Sequence, residues 1–293
     1  MAVWLDPLLP EIKVPPDLKK QWFQLGSAKF QLTPSQYKLL LAKEERVCVI
    51  GGYGSSKTKG GVYKVSHLAM FPNNRIIVGR FAATDLEETT QRDLCDFLYE
   101  AGLMKTPPNQ KSKKAVVYCV DPVTQKNLGY TTEISFQHMD DPTHLNSRHV
   151  GAFWIDEASQ VHKDAGKHLA GRLRWPAFAG RYQGIFTGNP NGHNYLYDDF
   201  FNEEEITKLI CGHPACKLSP EDCNKNLRLK RRGIHATTYD NYFLPPDYVE
   251  GMLASYSPNE RQRYLEASFD VFEGAAFGEF SHDLHVLGGA VGV

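Results

Sequence analysis

The segment VCVIGGYGSSKTKGG, residues 47–61, decides how this chain is read. An apolar run with a buried-strand pattern ends at Ile50. The chain then turns through Gly51, Gly52, Tyr53, Gly54, Ser55 and Ser56, and a helix is predicted to open at Lys57 and Thr58. The spacing is that of the phosphate loop, G-x4-G-K-[ST], with Ser56 in place of the last glycine. Glycines let successive backbone N–H groups face phosphate oxygens, and the helix N-terminus adds partial positive charge. Lys57 is then expected to bridge the β- and γ-phosphates of ATP, and the Thr58 hydroxyl to ligate Mg²⁺. The competing reading is a glycine-rich strand-to-helix turn that binds nothing. Ser56 bears on that choice, because its Cβ must fit where such a loop passes close to phosphate.

A second segment, GAFWIDEAS (151–159), runs four apolar residues into Asp156 and Glu157. Both acids therefore sit at the carboxyl end of a buried strand, where open α/β sheets form their ligand crevices. Asp156 is placed to hold Mg²⁺ and Glu157 to polarise an attacking water. Adjacent acids here could equally complement the N-terminus of the helix predicted to follow. With the upstream phosphate loop, the catalytic reading gains weight over the charge-pair reading.

Around these two segments, strand and helix patterns alternate. RIIVGR (75–80) precedes a predicted helix over roughly 83–102, with Leu86, Leu94, Phe97 and Leu98 at helical spacing. Alternating stretches around Val116–Val120 and Thr132–Phe136 predict a hairpin, with Asp121, Pro122 and Gly129 between them. YQGIFTG (182–188) is another buried strand, and a helical region is predicted over about 246–268. Together these predict an α/β fold, a P-loop NTPase with a mostly parallel central sheet flanked by helices and a small helical lid. Residues 1–29 read as an irregular arm.

Composition limits the remaining possibilities. With 42% hydrophobic residues, the 293-residue chain can bury a full core. A formal net charge of −1 provides no global basic field, so any nucleic-acid contact must come from a local patch. The first residues, MAVWLDPLLPEIKVPP, read as neither a signal peptide nor a helical anchor, and no apolar run is long enough to span a membrane. Six scattered cysteines suit a reducing compartment better than a disulfide framework, so a soluble intracellular protein is expected.

On these motifs the sequence resembles the large terminase subunits of tailed bacteriophages over about residues 30–282. FQLTPSQYKLL (30–40) resembles the family's adenine-recognition segment, which makes Gln36 the base-reading amide. GGYGSSKT and FWIDEAS resemble its two Walker motifs, in the arrangement with a catalytic glutamate after the Mg²⁺ aspartate. GRLRWP (171–176) and FTGNPNGHNYLYDDF (186–200) resemble the segment that senses γ-phosphate and couples it to movement, centred on Thr187, Gly188 and Asn189. HATTYDNYFLPPDYV (235–249) and RYLEASFDVFEGAAFGEF (263–280) resemble the lid.

The resemblance implies an ATPase core over 30–234, with an insertion at about 202–232, a lid over 235–280, and a linker over 281–293 leading towards a nuclease domain. After Phe280 only Asp283 could serve such a nuclease, so no nuclease activity is expected from these residues. It further implies a motor that moves double-stranded DNA into procapsids. The partners would be the portal protein and the small terminase subunit, in a homo-oligomeric ring that could be a monomer in isolation. Its place would be the host cytoplasm, docked transiently on the portal, outside the mature virion. Tyr53 stands where the family usually carries a basic residue. Arg148 and Arg80 compete as the arginine that stabilises charge on the transferred phosphoryl group, against surface pairing for either. Arg172 and Arg174 divide between nucleotide sensing and structural pairing. Two rival readings are a helicase or remodelling ATPase of the same class, and a degenerate loop that binds nucleotide or DNA without turnover.

Two further clusters stand apart. Cys211, His213, Cys216 and Cys223 form a possible structural Zn²⁺ set, although the Cys211-x-His213 spacing is tight for chelation and surface thiols are the alternative. KNLRLKRRG carries Lys225, Arg228, Lys230, Arg231 and Arg232, which could neutralise DNA phosphates or form a solvated loop balanced by Glu203, Glu204 and Glu205.

Overall fold

The computed structural model describes residues 11–106, 109, 111–141, 149–174, 182–208, 210–212 and 214–271. In chain order, a hairpin of β1 (Phe23–Leu25) and β2 (Ala28–Phe30) leads to α1 (Pro34–Leu41), β3 (Arg46–Gly51), α2 (Lys57–Leu68) and β4 (Arg75–Arg80). A helical stretch follows as α3 (Ala83–Asp85), a π-helical turn (Leu86–Gln91) and α4 (Arg92–Glu100), then β5 (Lys114–Val120), β6 (Asn127–His138) and β7 (Ala152–Ile155). The remaining elements are α5 (Lys163–Ala170), β8 (Gln183–Gly188), α6 (Tyr195–Phe200), α7 (Glu203–Thr207), α8 (Pro220–Arg228), β9 (Arg231–Ala236), α9 (Pro246–Ser255) and α10 (Pro258–Tyr264).

Seven strands form one sheet in the order β5-β6-β4-β7-β8-β3-β9, parallel except where β5 meets β6. The inner strands β3, β4, β7 and β8 are buried on both faces, as apolar runs without polar alternation require, while β5, β6 and β9 carry exposed or half-buried positions. Ala152 and Trp154 enter the core shared with α1, α2 and α4, while Phe153 and Ile155 enter a second core with α5 and α6. That alternation makes AFWI a four-residue strand with no solvent face.

One strand, β8, lies between β3 and β7. Ile50 aligns with Gly188, Phe186 with Ile155, and Ile155 with Gly79. The carboxyl ends of β3, β8, β7 and β4 thus line one edge of the sheet.

Three sequence expectations need correction. Residues 23–29 are not irregular but form β1 and most of β2, while residues 11–22 hold a single 3-10 turn at Leu18–Lys20. Phe30 stacks on Tyr63 at 4.3 Å and meets Phe97 edge-on at 5.6 Å, so the β1–β2 hairpin is fastened to α2 and α4. The predicted helix over 83–102 is interrupted by the π-helical turn. The basic run KNLRLKRRG is not a loop: it closes α8 and supplies β9, which pairs with the phosphate-loop strand from Arg46↔Arg231 to Gly51↔Ala236.

Two ion pairs anchor β9. Arg231 Nη1 lies 2.9 Å from Asp199 Oδ1, and Arg232 reaches Glu44 Oε1 through Nη2 at 2.6 Å and Nε at 2.8 Å. Burial alone would raise the Glu44 carboxyl. The Arg232 hydrogen bonds and charge outweigh it, with help from the Glu44 and Lys43 amides, and hold Glu44 below its ordinary 4.5. A carboxyl depressed by folding contributes stability that is complete above 4.5 and is lost as pH falls through the lower folded value. Glu44→Gln should therefore lower the urea midpoint most at neutral pH, with the deficit shrinking in acid. A deficit constant with pH would mean that charge does not hold this pair.

Candidate active site

The loop after β3 and the acids after β7 meet. Lys57 Nζ lies 3.4 Å from Glu157 Oε1, and Thr58 Oγ1 lies 3.4 Å from Asp156 Oδ1. Asp156 is fully buried and would be costly as an isolated carboxylate. It is met by hydroxyls: Thr187 donates to Oδ1 at 2.7 Å and Thr90 donates to Oδ2 at 2.7 Å. Thr187 in turn accepts from the Trp154 indole N–H at 2.7 Å, so Trp154 orients the hydroxyl that holds Asp156.

Thr90 lies on the π-helical turn, which widens the helix where it passes the sheet edge. Its role was not legible in the sequence, since only the distortion of the helix aims it at Asp156. Glu157 occupies the left-handed region at φ 49°, a conformation costing about 1–3 kcal/mol for a non-glycine residue and typical of functional sites. The strain turns the chain so that successive carboxylates approach Thr58 and Lys57.

Ser56 also occupies the left-handed region, φ 62°, which explains why a glycine suits this position. Here the serine is compensated. Asn241 Nδ2 donates to Ser56 Oγ at 2.8 Å and to the Gly54 carbonyl at 2.6 Å. The Cβ of Ser56 is thus accommodated, and Asn241, which sequence reading passed over, grips the loop from the lid side.

Tyr53 stacks on Tyr264 at 4.6 Å with the rings 9° from parallel, and its N–H donates to the Tyr264 carbonyl at 2.7 Å. The side chain at this position therefore supplies a lid contact rather than a charge. Gly52 is required by the same approach, because a Cβ there would collide with the Tyr264 carbonyl. Ser55 bonds the Gly52 carbonyl at 2.7 Å, closing the turn that begins at Gly51.

The segment 187–191 touches both halves of the site. Thr187 holds Asp156, and a Cβ at Gly188 would press on the amides of Ala158 and Ser159. Asn189 Oδ1 is buried without a hydrogen-bond partner among the described residues, an acceptor open to a ligand or its water. Arg263 of α10 donates to the Pro190 carbonyl at 3.3 Å and to Asn191 Oδ1 at 3.4 Å. Its guanidinium also lies over Tyr264 at 4.9 Å.

Other predicted residues fall differently. Gln36 Oε1 accepts from the Thr33 amide at 2.9 Å, and Nε2 donates to the Ser56 carbonyl at 3.0 Å. The amide caps its own helix and braces the phosphate loop, leaving one N–H hydrogen for a ligand. Arg80 ends β4 at the site edge, with Nη1 on Thr89 Oγ1 at 2.5 Å and a buried Nε without a hydrogen-bond partner among the described residues. Arg148 lies outside the described residues.

Arg172 and Arg174 lie away from the acidic pair. Val150 bridges to Leu173, and Arg174 donates to His149 Nδ1 at 2.6 Å. This places both arginines at the amino end of β7, about 20 Å of extended chain from Asp156.

The basic run divides as well. Arg231 and Arg232 are committed to Asp199 and Glu44, and Lys230 approaches Glu45 at 3.8 Å, while Glu205, one of the acids expected to balance them, pairs with Lys208 at 2.9 Å. Lys225 is exposed on α8 and Arg228 is partly buried. Cys211, Cys216 and Cys223 come together, while His213 lies outside the described residues.

A strand–glycine turn–helix unit carrying Lys57 and Thr58, opposed across one intervening strand by Asp156 and Glu157, defines a P-loop nucleotide-binding domain of the additional-glutamate type. The model of the phage terminase large subunit family matches residues 43–266, and the chain belongs to that family. It is 30% identical over 218 residues to the PBSX phage terminase large subunit of Bacillus subtilis (strain 168), covering 72% of this chain and 46% of that protein. It therefore spans less than half the length of this curated relative.

Its fold resembles the large terminase of the thermophilic bacteriophage D6E, with a TM-score of 0.64 at 15% identity, over 88% of this chain and 58% of the other. It also resembles the ATPase domain of the Thermus phage P74-26 large terminase, with a TM-score of 0.52 at 17% identity, over 82% and 94% of the two chains.

Thr90→Val keeps the shape of the side chain but leaves a buried Asp156 oxygen without its donor. It should cost about 1–3 kcal/mol, read as a lower urea midpoint. An unchanged midpoint would mean that another group satisfies the carboxylate.

Proposed function

We propose that this chain hydrolyses ATP and that, in the assembled terminase, this hydrolysis drives double-stranded DNA into procapsids. The observation that carries the reading is the convergence of Lys57 on Glu157 and of Thr58 on Asp156 at one sheet edge. Solved structures of the D6E large terminase with ADP and with ATP-gamma-S, which share this fold, add weight to nucleotide as the ligand.

Three loop amides are already engaged, Gly52 with the Ala236 carbonyl, Tyr53 with the Tyr264 carbonyl and Ser55 with the Gly52 carbonyl. Phosphates therefore meet the N–H groups at the start of α2, beside Lys57. A hydroxyl and a buried carboxylate are hard oxygen donors suited to Mg²⁺, so Thr58 and Asp156 would hold it. There Mg²⁺ would neutralise charge on the phosphate oxygens.

Lys57 and Glu157 satisfy each other in the present arrangement. Arrival of a triphosphate draws the Lys57 ammonium to stronger anions and releases the Glu157 carboxylate to accept a proton from the attacking water. Arg80, at the same edge, is the candidate in this chain for stabilising charge on the transferred phosphoryl group. Thr187 senses the metal carboxylate at one end of its segment, and Arg263 holds the other end to the lid. Loss of γ-phosphate is thereby passed from Asp156 through residues 187–191 to α10.

Double-stranded DNA, the portal protein and a small terminase subunit are the partners of this reading. A ring of copies in the host cytoplasm, docked on the procapsid portal and absent from the mature virion, is the working form.

Phosphate release by the purified chain tests the assignment. Glu157→Ala should lower it by roughly 10²–10⁴-fold while nucleotide still binds. Equal rates in the two proteins would remove Glu157 as the base. Binding to duplex DNA should weaken as salt rises, through release of condensed counterions. Salt-independent binding would argue against a grip on phosphates.

A further inference from the structure

The insertion between α7 and β9 contains a cluster of a different chemistry. The six cysteines form no disulfide. Cys48, Cys95 and Cys119 are buried in the domain cores. The other three all come from the stretch 211–223, and their sulfurs lie within 4.8 Å of one another. Among the described residues this is the single group of three or more His, Cys, Asp or Glu side chains positioned to share an ion.

Apolar burial does not account for this convergence. Ile210 and Leu218, on either side, are 61% and 49% exposed, and the described residues between them contain turns but no helix or strand. What brings the sulfurs together is the connection itself. The Cys211 amide donates to Cys223 Sγ at 3.3 Å, and Asn224 Nδ2 reaches the Ile206 carbonyl at 2.6 Å, so α8 is pinned to the end of α7. Cys223 sits on the buried face of α8, in the turn after the Ser219 cap.

We infer that Cys211, Cys216 and Cys223 bind one structural Zn²⁺ ion. Tetrahedral zinc with bonds near 2.3 Å sets its sulfurs about 3.8 Å apart, so side-chain rotation suffices to close the cluster around the metal. Each thiol gives up its proton to solvent and ligates as thiolate. A water or another donor completes the fourth position. Soft thiolates select Zn²⁺ over the Mg²⁺ expected at Asp156, so the two sites do not compete for one ion. The ion replaces the missing apolar core of the insertion. It holds α7 to α8 and so fixes the entry to β9, the strand that borders the phosphate-loop strand.

Metal content of the full chain, purified under reducing conditions, equilibrated with zinc and freed of excess, tests this. One zinc per chain is expected. Cys211 is exposed, so Cys211→Ser removes a ligand without opening a core. Cys211→Ser and Cys216→Ser should each reduce the content severalfold at equal zinc. Circular dichroism should show both variants folded, and chelation should lower the melting temperature of the wild-type chain alone. Zinc below a tenth of an equivalent in the wild-type chain, undiminished zinc in both variants, or recovery of two of these sulfurs as a disulfide under those conditions would overturn the site. The outcome is independent of ATP hydrolysis.

Discussion

A buried carboxylate sets the terms for the catalytic edge of this molecule. Asp156 has no solvent, so its oxygens must be met by the protein or by a cation. Three threonines from three elements answer that demand: Thr58 from the phosphate loop, Thr90 from the π-helical turn and Thr187 from β8. Each element bears on a different part of the chemistry. The carboxylate thus ties the phosphate loop, the π-helical turn and β8 to a single side chain, and the inserted position of β8 in the sheet makes this possible.

The lid is tied to the same edge by independent contacts. Asn241 grips Ser56 and Gly54, Thr238 Oγ1 donates to the Tyr53 carbonyl at 2.6 Å, and Tyr264 covers Tyr53. These contacts run to backbone and side-chain groups of the loop and join it to the lid at several points. Arg263 gives the lid a second hold, on the segment that follows Thr187. Two short paths therefore join α10 to the site, one through the loop and one through Asp156. Each consists of specific hydrogen bonds or ring contacts.

Much of this was legible in one dimension. Apolar runs buried on both faces mark parallel strands, and a glycine turn before Lys57 and Thr58 marks the phosphate loop, because those requirements are local to a few consecutive residues. Asp156 and Glu157 were legible for the same reason: they directly follow a strand. Thr90 was not, since a helix of ordinary pitch gives no sign of a π-helical turn. Neither was Asn241, an unremarkable residue between two turns whose partner lies at Ser56, far away in sequence. Strand β9 was missed because its residues Arg231, Arg232 and His235 look solvated. Glu44 and Asp199 neutralise the arginines only after the sheet has formed.

The chain by itself therefore determined the fold class, the loop, the acidic pair and the order of the motifs, all properties of contiguous stretches with a fixed period or spacing. Tertiary structure alone decided which arginines stand near the site, what Gln36 and Tyr53 hold, how Asp156 is satisfied, and that three cysteines share one point in space. The reason is physical. Hydrogen bonds, ion pairs and metal chelation depend on distances of a few ångströms between residues that the backbone brings together only on folding, and no local pattern encodes those distances.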